Sequence, residues 1–184
     1  MNILIGVTGG ISAYKAADLI GALKHEGYSS IRVIMTERSK HFITPLTLAT
    51  LSKHPVYDDS SEWAPHGRVD HIELAEWAQI FIIAPATANT IAKIANGTAD
   101  NLLTSTFLAY NFPYVSGKRS IICPAMNNRM YENETTQENM RKIRNISTNI
   151  IVPPVEGMLA CGTIGIGKLA PTRSIVEVTK RIYR

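Results

Sequence analysis

The sequence predicts a three-layer α/β/α fold with a parallel sheet, because short apolar runs alternate with helix-like segments along the chain. The runs are almost continuously apolar, which is typical of strands whose two faces are both covered by helices. We predict strands over residues 2–7, 30–36, 79–84, 119–123 and 149–152. Together these observations indicate a Rossmann-like, doubly wound domain.

The segments between the strands carry helical patterns. In the first of them, Ala13, Ala16 and Ile20 recur at helical spacing. We predict helices over 12–25, 45–52, 89–94, 101–110, 132–144 and 172–183. Residues 153–171 are predicted to form a long glycine-rich loop, and loops of that length are often functional.

Length and composition limit the classes of protein that fit. The chain has 184 residues, 45% of them apolar and 18% charged, which suits a single globular domain spanning 1–184. The net charge of +4 is modest and no long basic run occurs, which argues against nucleic acid as a partner. No apolar stretch reaches the length of a membrane span, which argues against a membrane. Cys123 and Cys161 have no metal-type spacing, and the sequence start does not resemble a signal peptide. We therefore expect a cytoplasmic protein with no metal site.

A glycine turn follows the first strand and leads into a helix. Backbone amides in such a turn, together with the helix N-terminus, can bind a phosphate. The spacing is not G-x-G-x-x-G, so a mononucleotide fits better than a dinucleotide. A plain βα turn remains the alternative. The candidate ligands are Thr8, Gly9, Gly10 and Ser12, joined after the second strand by Thr36, Ser39 and Phe42.

Small and polar residues follow the third strand. Such a run offers a flat wall with hydrogen-bond donors, as a planar ring requires, although an ordinary capped helix start is the alternative. The residues concerned are Pro85, Ala86, Thr87, Asn89 and Thr90.

Two adjacent amides, Asn127 and Asn128, follow the fourth strand. An amide at this position can bind a carboxylate without adding charge. Met126 and Met130 can pack against a planar ligand, although methionines at helical spacing more often belong to the core.

Five segments together carry a family resemblance: GVTGGISAYK (6–15), HIELAEWAQ (71–79), APATANTIAKIANGTADNLLT (84–104), PAMNNRMYEN (124–133) and GMLACGTIGIGKL (157–169). In this order they resemble the homo-oligomeric flavin-containing cysteine decarboxylases, and within them phosphopantothenoylcysteine decarboxylase. The resemblance implies a flavodoxin-like fold, FMN, and assembly as a homotrimer or as a dodecamer of four trimers. It also implies the FMN-dependent conversion of the small phosphorylated substrate 4′-phospho-N-pantothenoylcysteine to 4′-phosphopantetheine and CO₂, in coenzyme A biosynthesis.

The same resemblance implies roles for individual residues. His71 matches the active-site histidine, Asn127 the residue that holds the substrate carboxylate, and Cys161 the cysteine of a flap at about 153–171 that covers the substrate. The resemblance also implies that His71 and the FMN wall of one site come from neighbouring chains. The expected substrate contacts are Asn127, Met130, Ala160, Cys161 and Lys168.

Relatives of this family leave other functions open. A lantibiotic-type decarboxylase of peptide C-terminal cysteines shares the chemistry, a flavin prenyltransferase shares the architecture, and a non-catalytic flavoprotein regulates a phosphatase. The complete flap motif with Cys161 and the PAMN run (124–127) favour the small phosphorylated substrate over a peptide. The presence of His71, Asn127 and Cys161 together argues against the prenyltransferase and the regulator. Because the sequence stops at Arg184, we expect the monofunctional form, with the ligase of the pathway as a separate protein. Tyr131 stands where some relatives have Trp, and we expect little consequence.

Overall fold

The computed structural model describes residues 1–64, 67, 69–110 and 117–182. Its centre is a six-stranded parallel sheet in the order β3-β2-β1-β4-β5-β6. The strands are β1 (Asn2–Val7), β2 (Ser30–Met35), β3 (Val56–Tyr57), β4 (Ile80–Ala86), β5 (Arg119–Pro124) and β6 (Asn149–Ile151). The predicted parallel α/β fold is confirmed.

Helices connect the strands and cover both faces of the sheet. They are α1 (Lys15–His25), α2 (Pro45–Ser52), α3 (Asp59–Glu62), α4 (Asp70–Trp77), α5 (Ala88–Ala95), α6 (Leu102–Tyr110), α7 (Asn128–Tyr131), α8 (Glu134–Arg144) and α9 (Thr172–Arg181). Short 3₁₀ turns at Ile11–Tyr14 and Glu37–His41 follow β1 and β2. Residue 183, the predicted end of the last helix, lies outside the described residues. No described helix has the length and apolar character that a membrane crossing needs.

Alternate side chains of the strands enter two separate cores. Ile3 and Ile5 of β1 pack with α1, α2 and α9 on one face, whereas Leu4 packs with α4, α5, α6 and α8 on the other. This period-two alternation is what a strand buried on both faces requires. It explains why the strands lack an apolar–polar pattern in the sequence.

The strand β3 was absent from the sequence prediction. It has two half-buried residues, too few for a periodic pattern to appear. Without β3 the five remaining strands have the flavodoxin-like order, and β3 extends that order to 3-2-1-4-5-6. In both orders the connections leave β1 in opposite directions, which opens a crevice beyond the carboxyl ends of β1 and β4.

The prediction of an irregular loop over 153–171 was wrong. This segment contains an antiparallel hairpin, β7 (Val155–Met158) and β8 (Ile164–Lys168). Glycines in β8 lower its strand propensity, and most residues of the hairpin are exposed. The sequence of this segment therefore has neither the composition nor the apolar pattern that would predict two strands. We call residues 155–168 the flap.

Candidate active site

A cleft of about 980 Å³ lies beyond the carboxyl ends of β1, β2, β4 and β5. Its volume is at the upper end of the range for small-molecule sites, which leaves room for two ligands side by side. The predicted cofactor residues that line it are Gly9, Gly10, Ser12, Thr36, Pro85, Thr87, Asn89, Thr90 and Met126. All the predicted substrate residues, Asn127, Met130, Ala160, Cys161 and Lys168, line the same cleft.

The turn after β1 forms one end of the cleft. A Cβ atom at Gly9 would lie 2.4 Å from the Cβ atom of Arg38, so only glycine allows the loops after β1 and β2 to approach this closely. Arg38 and Lys15 also line this end and supply positive charge near the turn. Neither cation was among the predicted site residues. Lys15 lies in the same segment as the turn, whereas nothing in a local motif shows that the segment with Arg38 meets it.

Two predicted cofactor residues form hydrogen bonds with the backbone of the loops at this end of the cleft. The buried hydroxyl of Thr8 donates to the carbonyl oxygen of Pro85 at 2.7 Å and accepts from the amide of Thr87 at 3.1 Å. The buried hydroxyl of Ser39 donates to the carbonyl oxygen of Thr36 at 2.6 Å. Both hydroxyls fix the loops that line the cleft and do not line it themselves.

Two other predicted cofactor residues also lie outside the lining of the cleft. Ala86 is fully buried in the core beneath it. Phe42 is half-exposed after the Glu37–His41 turn and does not reach it. Whether either residue contacts the cofactor stays a prediction.

The segment after β4 forms the middle wall of the cleft. The Thr87 hydroxyl caps α5 by accepting from the Thr90 amide, and it donates to the Thr90 hydroxyl at 3.3 Å. Asn89 lies in the first turn of α5 and lines the cleft. At the rim, Lys93 forms an ion pair with Asp100 at 2.6 Å. The wall therefore combines small residues with fixed polar groups.

Asn127 links the strand end to the flap. Its Oδ1 accepts from the backbone amide of Arg129 at 2.9 Å, which caps α7. Because a backbone amide can only donate, this contact identifies the oxygen and leaves Nδ2 on the other side. Nδ2 donates to the sulfur of Cys161 at 3.2 Å. The contact joins two predicted catalytic residues that are 34 positions apart.

The flap packs onto the segment after β5 through its glycines. The amide of Met126 donates to the carbonyl oxygen of Gly167 at 3.0 Å. A Cβ atom at Gly167 would lie 2.1 Å from the carbonyl oxygen of Met126, and one at Gly165 would lie 2.9 Å from the Cβ atom of Asn128. Glycine at both positions lets the backbone of β8 lie directly against 126–128. This contact holds Cys161 beside Asn127.

The two cysteines have opposite environments. Complete burial raises the pKa of the Cys123 thiol far above its usual range, so this thiol is inert. Cys161 is exposed on the flap, and hydrogen bonds, first among them the one from the Thr163 hydroxyl, lower the pKa of its thiol. Cys161 is therefore the reactive thiol of this chain.

His71 lies in the first turn of α4, outside the cleft that contains Asn127 and Cys161. Its Nδ1 is 2.5 Å from Oε1 of Glu62, and its backbone amide donates to Oε2 of Glu62 at 3.1 Å. A carboxylate accepts hydrogen bonds, so this contact favours the tautomer with the proton on Nδ1. One chain thus does not bring the three predicted catalytic residues together.

The family model described as Flavoprotein matches residues 1–183. This chain belongs to the flavoprotein family. The flavoprotein is 44% identical over 176 residues to the probable phosphopantothenoylcysteine decarboxylase of Streptococcus mutans, with 96% of this chain and 95% of the relative covered. It is 40% identical over 182 residues to the coenzyme A biosynthesis bifunctional protein CoaBC of Bacillus subtilis. That match covers 99% of this chain and 43% of the relative, so the flavoprotein spans less than half the length of its bifunctional relatives.

Solved structures show the same architecture. A cysteine-to-serine mutant of PPC decarboxylase, complexed with pantothenoylaminoethenethiol, superimposes with a TM-score of 0.87 at 31% identity, covering 99% of the flavoprotein and 97% of that chain. The FMN binding protein AtHal3 gives a TM-score of 0.84 at 31% identity, covering 99% and 96%. These similarities confirm the family assignment that the five sequence segments predicted.

Proposed function

We propose that this flavoprotein is an FMN-dependent decarboxylase that converts 4′-phospho-N-pantothenoylcysteine to 4′-phosphopantetheine and CO₂. One observation carries the proposal: a single cleft joins the glycine turn and polar wall of a cofactor site to the contact between Asn127 and Cys161. The relatives named as phosphopantothenoylcysteine decarboxylase and as coenzyme A biosynthesis proteins support the substrate and the pathway.

The residues at the glycine-turn end of the cleft and along its middle wall fit FMN. The close approach at Gly9, with Arg38 and Lys15 alongside, suits a phosphate. The wall from Pro85 to Thr90 suits a flat ring that needs hydrogen bonds at one edge. When bound, FMN supplies the two-electron redox chemistry that lets a cysteine side chain activate its own carboxylate for loss.

Asn127 holds the carboxylate that leaves as CO₂. One hydrogen of Nδ2 goes to the Cys161 sulfur, and the second can be donated to the substrate. The hydrogen bond from the Arg129 backbone amide fixes Oδ1 of Asn127, so Nδ2 already faces the cleft before the substrate binds. A neutral donor binds the carboxylate but does not stabilise its charge as strongly as a lysine or arginine would, so it does not oppose decarboxylation.

The flap covers the substrate and brings Cys161 to it. Ala160, Cys161 and Lys168 lie on the flap and line the cleft, and Met130 of α7 also lines it. We assign the Cys161 thiol the role of proton donor to the product, and Lys168 the role of a ligand for the substrate phosphate. A closed flap also excludes water from the reacting carbon.

A second copy of the chain completes the site in this proposal. Three apolar side chains close to His71 in the sequence are exposed, with Trp63 at 86%, Val69 at 51% and Ile72 at 40%. Apolar side chains grouped at the surface are typical of a protein–protein contact. Packing of this surface on a neighbour would bring His71 to the cleft of that neighbour, as expected in a homotrimer or in four trimers.

The chain acts as one domain with a mobile flap, in a reducing cytoplasmic setting that suits two unpaired cysteines. In this proposal, the substrate is made by a ligase that acts earlier in the same pathway. A pathway of this kind needs neither nucleic acid nor membrane as a partner.

The deciding experiment compares two substrates. Purified protein reconstituted with FMN is expected to show flavin absorbance and to release CO₂ from phosphopantothenoylcysteine. A peptide with a C-terminal cysteine is the matched second substrate, because a lantibiotic-type decarboxylase would prefer it. Faster release from the peptide would reject the proposed substrate, and flavin binding with no release from either would leave a non-catalytic flavoprotein.

A further inference from the structure

In the described part of the chain, the sulfur of Cys161 has two side-chain hydrogen-bond contacts, and one of them belongs to the proposed substrate site. Asn127 Nδ2 donates to it at 3.2 Å from the segment after β5. The Thr163 hydroxyl lies 3.0 Å from it on the other side, within the flap itself. Thr163 is not among the site residues predicted from the sequence.

The tip of the flap holds Thr163 firmly in this position. The amide of Leu159 donates to the carbonyl oxygen of Thr163 at 2.9 Å, and the amide of Gly162 donates to the carbonyl oxygen of Leu159 at 2.9 Å. Gly162 has φ of 82°, a conformation that residues with side chains rarely adopt. In this closed turn the Cys161 sulfur and the Thr163 hydroxyl lie next to each other, 3.0 Å apart.

We propose that Thr163 is a positioning residue of the flap, whose hydroxyl, together with the Asn127 amide, orients the Cys161 sulfur and stabilises it as a thiolate. The proposal rests on the proposed function for its role in catalysis, and its chemistry is a proton transfer. The S–H bond of Cys161 breaks, the proton passes to the product, and the electron pair stays on the sulfur. Thr163 and Asn127 then donate to that thiolate until water returns a proton.

The hydrogen bonds to the Cys161 thiol support the role proposed for Thr163. Hydrogen bonds lower the pKa of the Cys161 thiol, and the Thr163 hydroxyl contributes most, ahead of its own backbone amide and Asn127. The charged groups on the elements packed here are Glu156 and Lys168 of the flap and Arg129 of α7. None of these charges changes when the hydroxyl of Thr163 is removed, so a substitution there isolates its contribution.

The test uses the rate at which iodoacetamide alkylates Cys161 as a function of pH, in the full chain without substrate. Cys123 is fully buried, so alkylation reports Cys161, and a Cys161→Ser protein gives the background. Thr163→Val keeps the shape and removes the hydroxyl. We expect its alkylation rate at neutral pH to fall about three- to tenfold, with the pH profile displaced upward.

Two further variants make the result specific. Thr163→Ser keeps the hydroxyl, and we expect its alkylation rate to equal that of the wild type. A rate as low as that of Thr163→Val would assign the effect to the methyl group and overturn the proposal. Thr98→Val removes an exposed threonine hydroxyl outside the cleft and is expected to leave the rate unchanged. An unchanged pH profile in Thr163→Val would also overturn the proposal. Because no substrate is present, this outcome is separate from failure of the decarboxylase assay.

Discussion

At the scale of single residues, one backbone contact decides what Asn127 offers to a ligand. The Arg129 amide takes Oδ1, so Nδ2 faces Cys161 and the cleft. The same contact caps α7, which means that the fold and the site use opposite ends of one amide. An aspartate would satisfy the cap equally well but would present an acceptor where the site needs a donor.

Asn127→Asp should therefore fold and bind FMN but lose turnover. A carboxylate at this position repels the substrate carboxylate and cannot donate to the Cys161 sulfur. We expect CO₂ release to fall by at least about a hundredfold, since like charges brought together cost several kcal/mol. Asn133→Asp is the matched control, because Asn133 caps α8 from an exposed site outside the cleft and aspartate caps as well. Activity close to that of the wild type in Asn127→Asp would refute the assigned role.

At the scale of elements, the flap owes its position to glycines whose missing side chains make space for another backbone. Gly167 is buried against Met126, and the contact distance there involves backbone atoms that cannot rotate away. The alternation of glycine and isoleucine in β8 thus serves docking of the hairpin, with Ile164 and Ile166 on its exposed side.

Gly167→Ala should loosen the flap and impair the site. We expect the free energy of unfolding to fall by about 1–3 kcal/mol, as for overpacked positions, and decarboxylation to fall with it. Urea denaturation measures the free energy of unfolding. Faster hydrogen exchange at the Met126 amide would show that the flap has moved away from residues 126–128.

The control for this substitution is Gly21→Ala in α1. Among the described residues, nothing lies within 4 Å of a Cβ atom at Gly21, so alanine there should raise the free energy of unfolding by up to about 1 kcal/mol. Equal stability of Gly167→Ala and the wild type would contradict the close packing of β8.

The major strands could be predicted from sequence, because a strand buried on both faces leaves a continuous apolar run. The hairpin of the flap could not, because its strands are exposed and its glycines serve a contact with a distant segment: Gly167 and Met126 are 41 positions apart in the chain. The same distinction applies to β3, whose pairing with β2 depends on the position of α2 between them.

At the scale of the whole molecule, the separation of His71 from the cleft is the observation that leads us to propose a second chain at the site. Asn127 and Cys161 touch, whereas His71 is held by Glu62 on a different surface. In a ring of three identical chains, each chain could give its histidine surface to one neighbour and its cleft to the other.

Mixing two inactive variants tests this arrangement. Co-expressed His71→Ala and Asn127→Ala chains should regain about a quarter of the wild-type activity, because random assembly joins an intact cleft to an intact histidine at one site in four. Asn127→Ala mixed with Cys161→Ser is the control and should stay inactive, since both residues belong to one chain's cleft. No recovery in the first mixture would show that His71 does not act across subunits.

The sequence by itself determined five of the six strands of the main sheet, the six helices predicted between and after them, and the polar segments at the strand ends. Those features are local, since each depends on the burial of a short run and on the residues that follow it. Only the tertiary structure decided that Arg38 meets Gly9, that Asn127 and Thr163 both contact Cys161, and that His71 lies elsewhere. These relations depend on how distant segments pack, and packing is set by the whole core, which no single motif encodes.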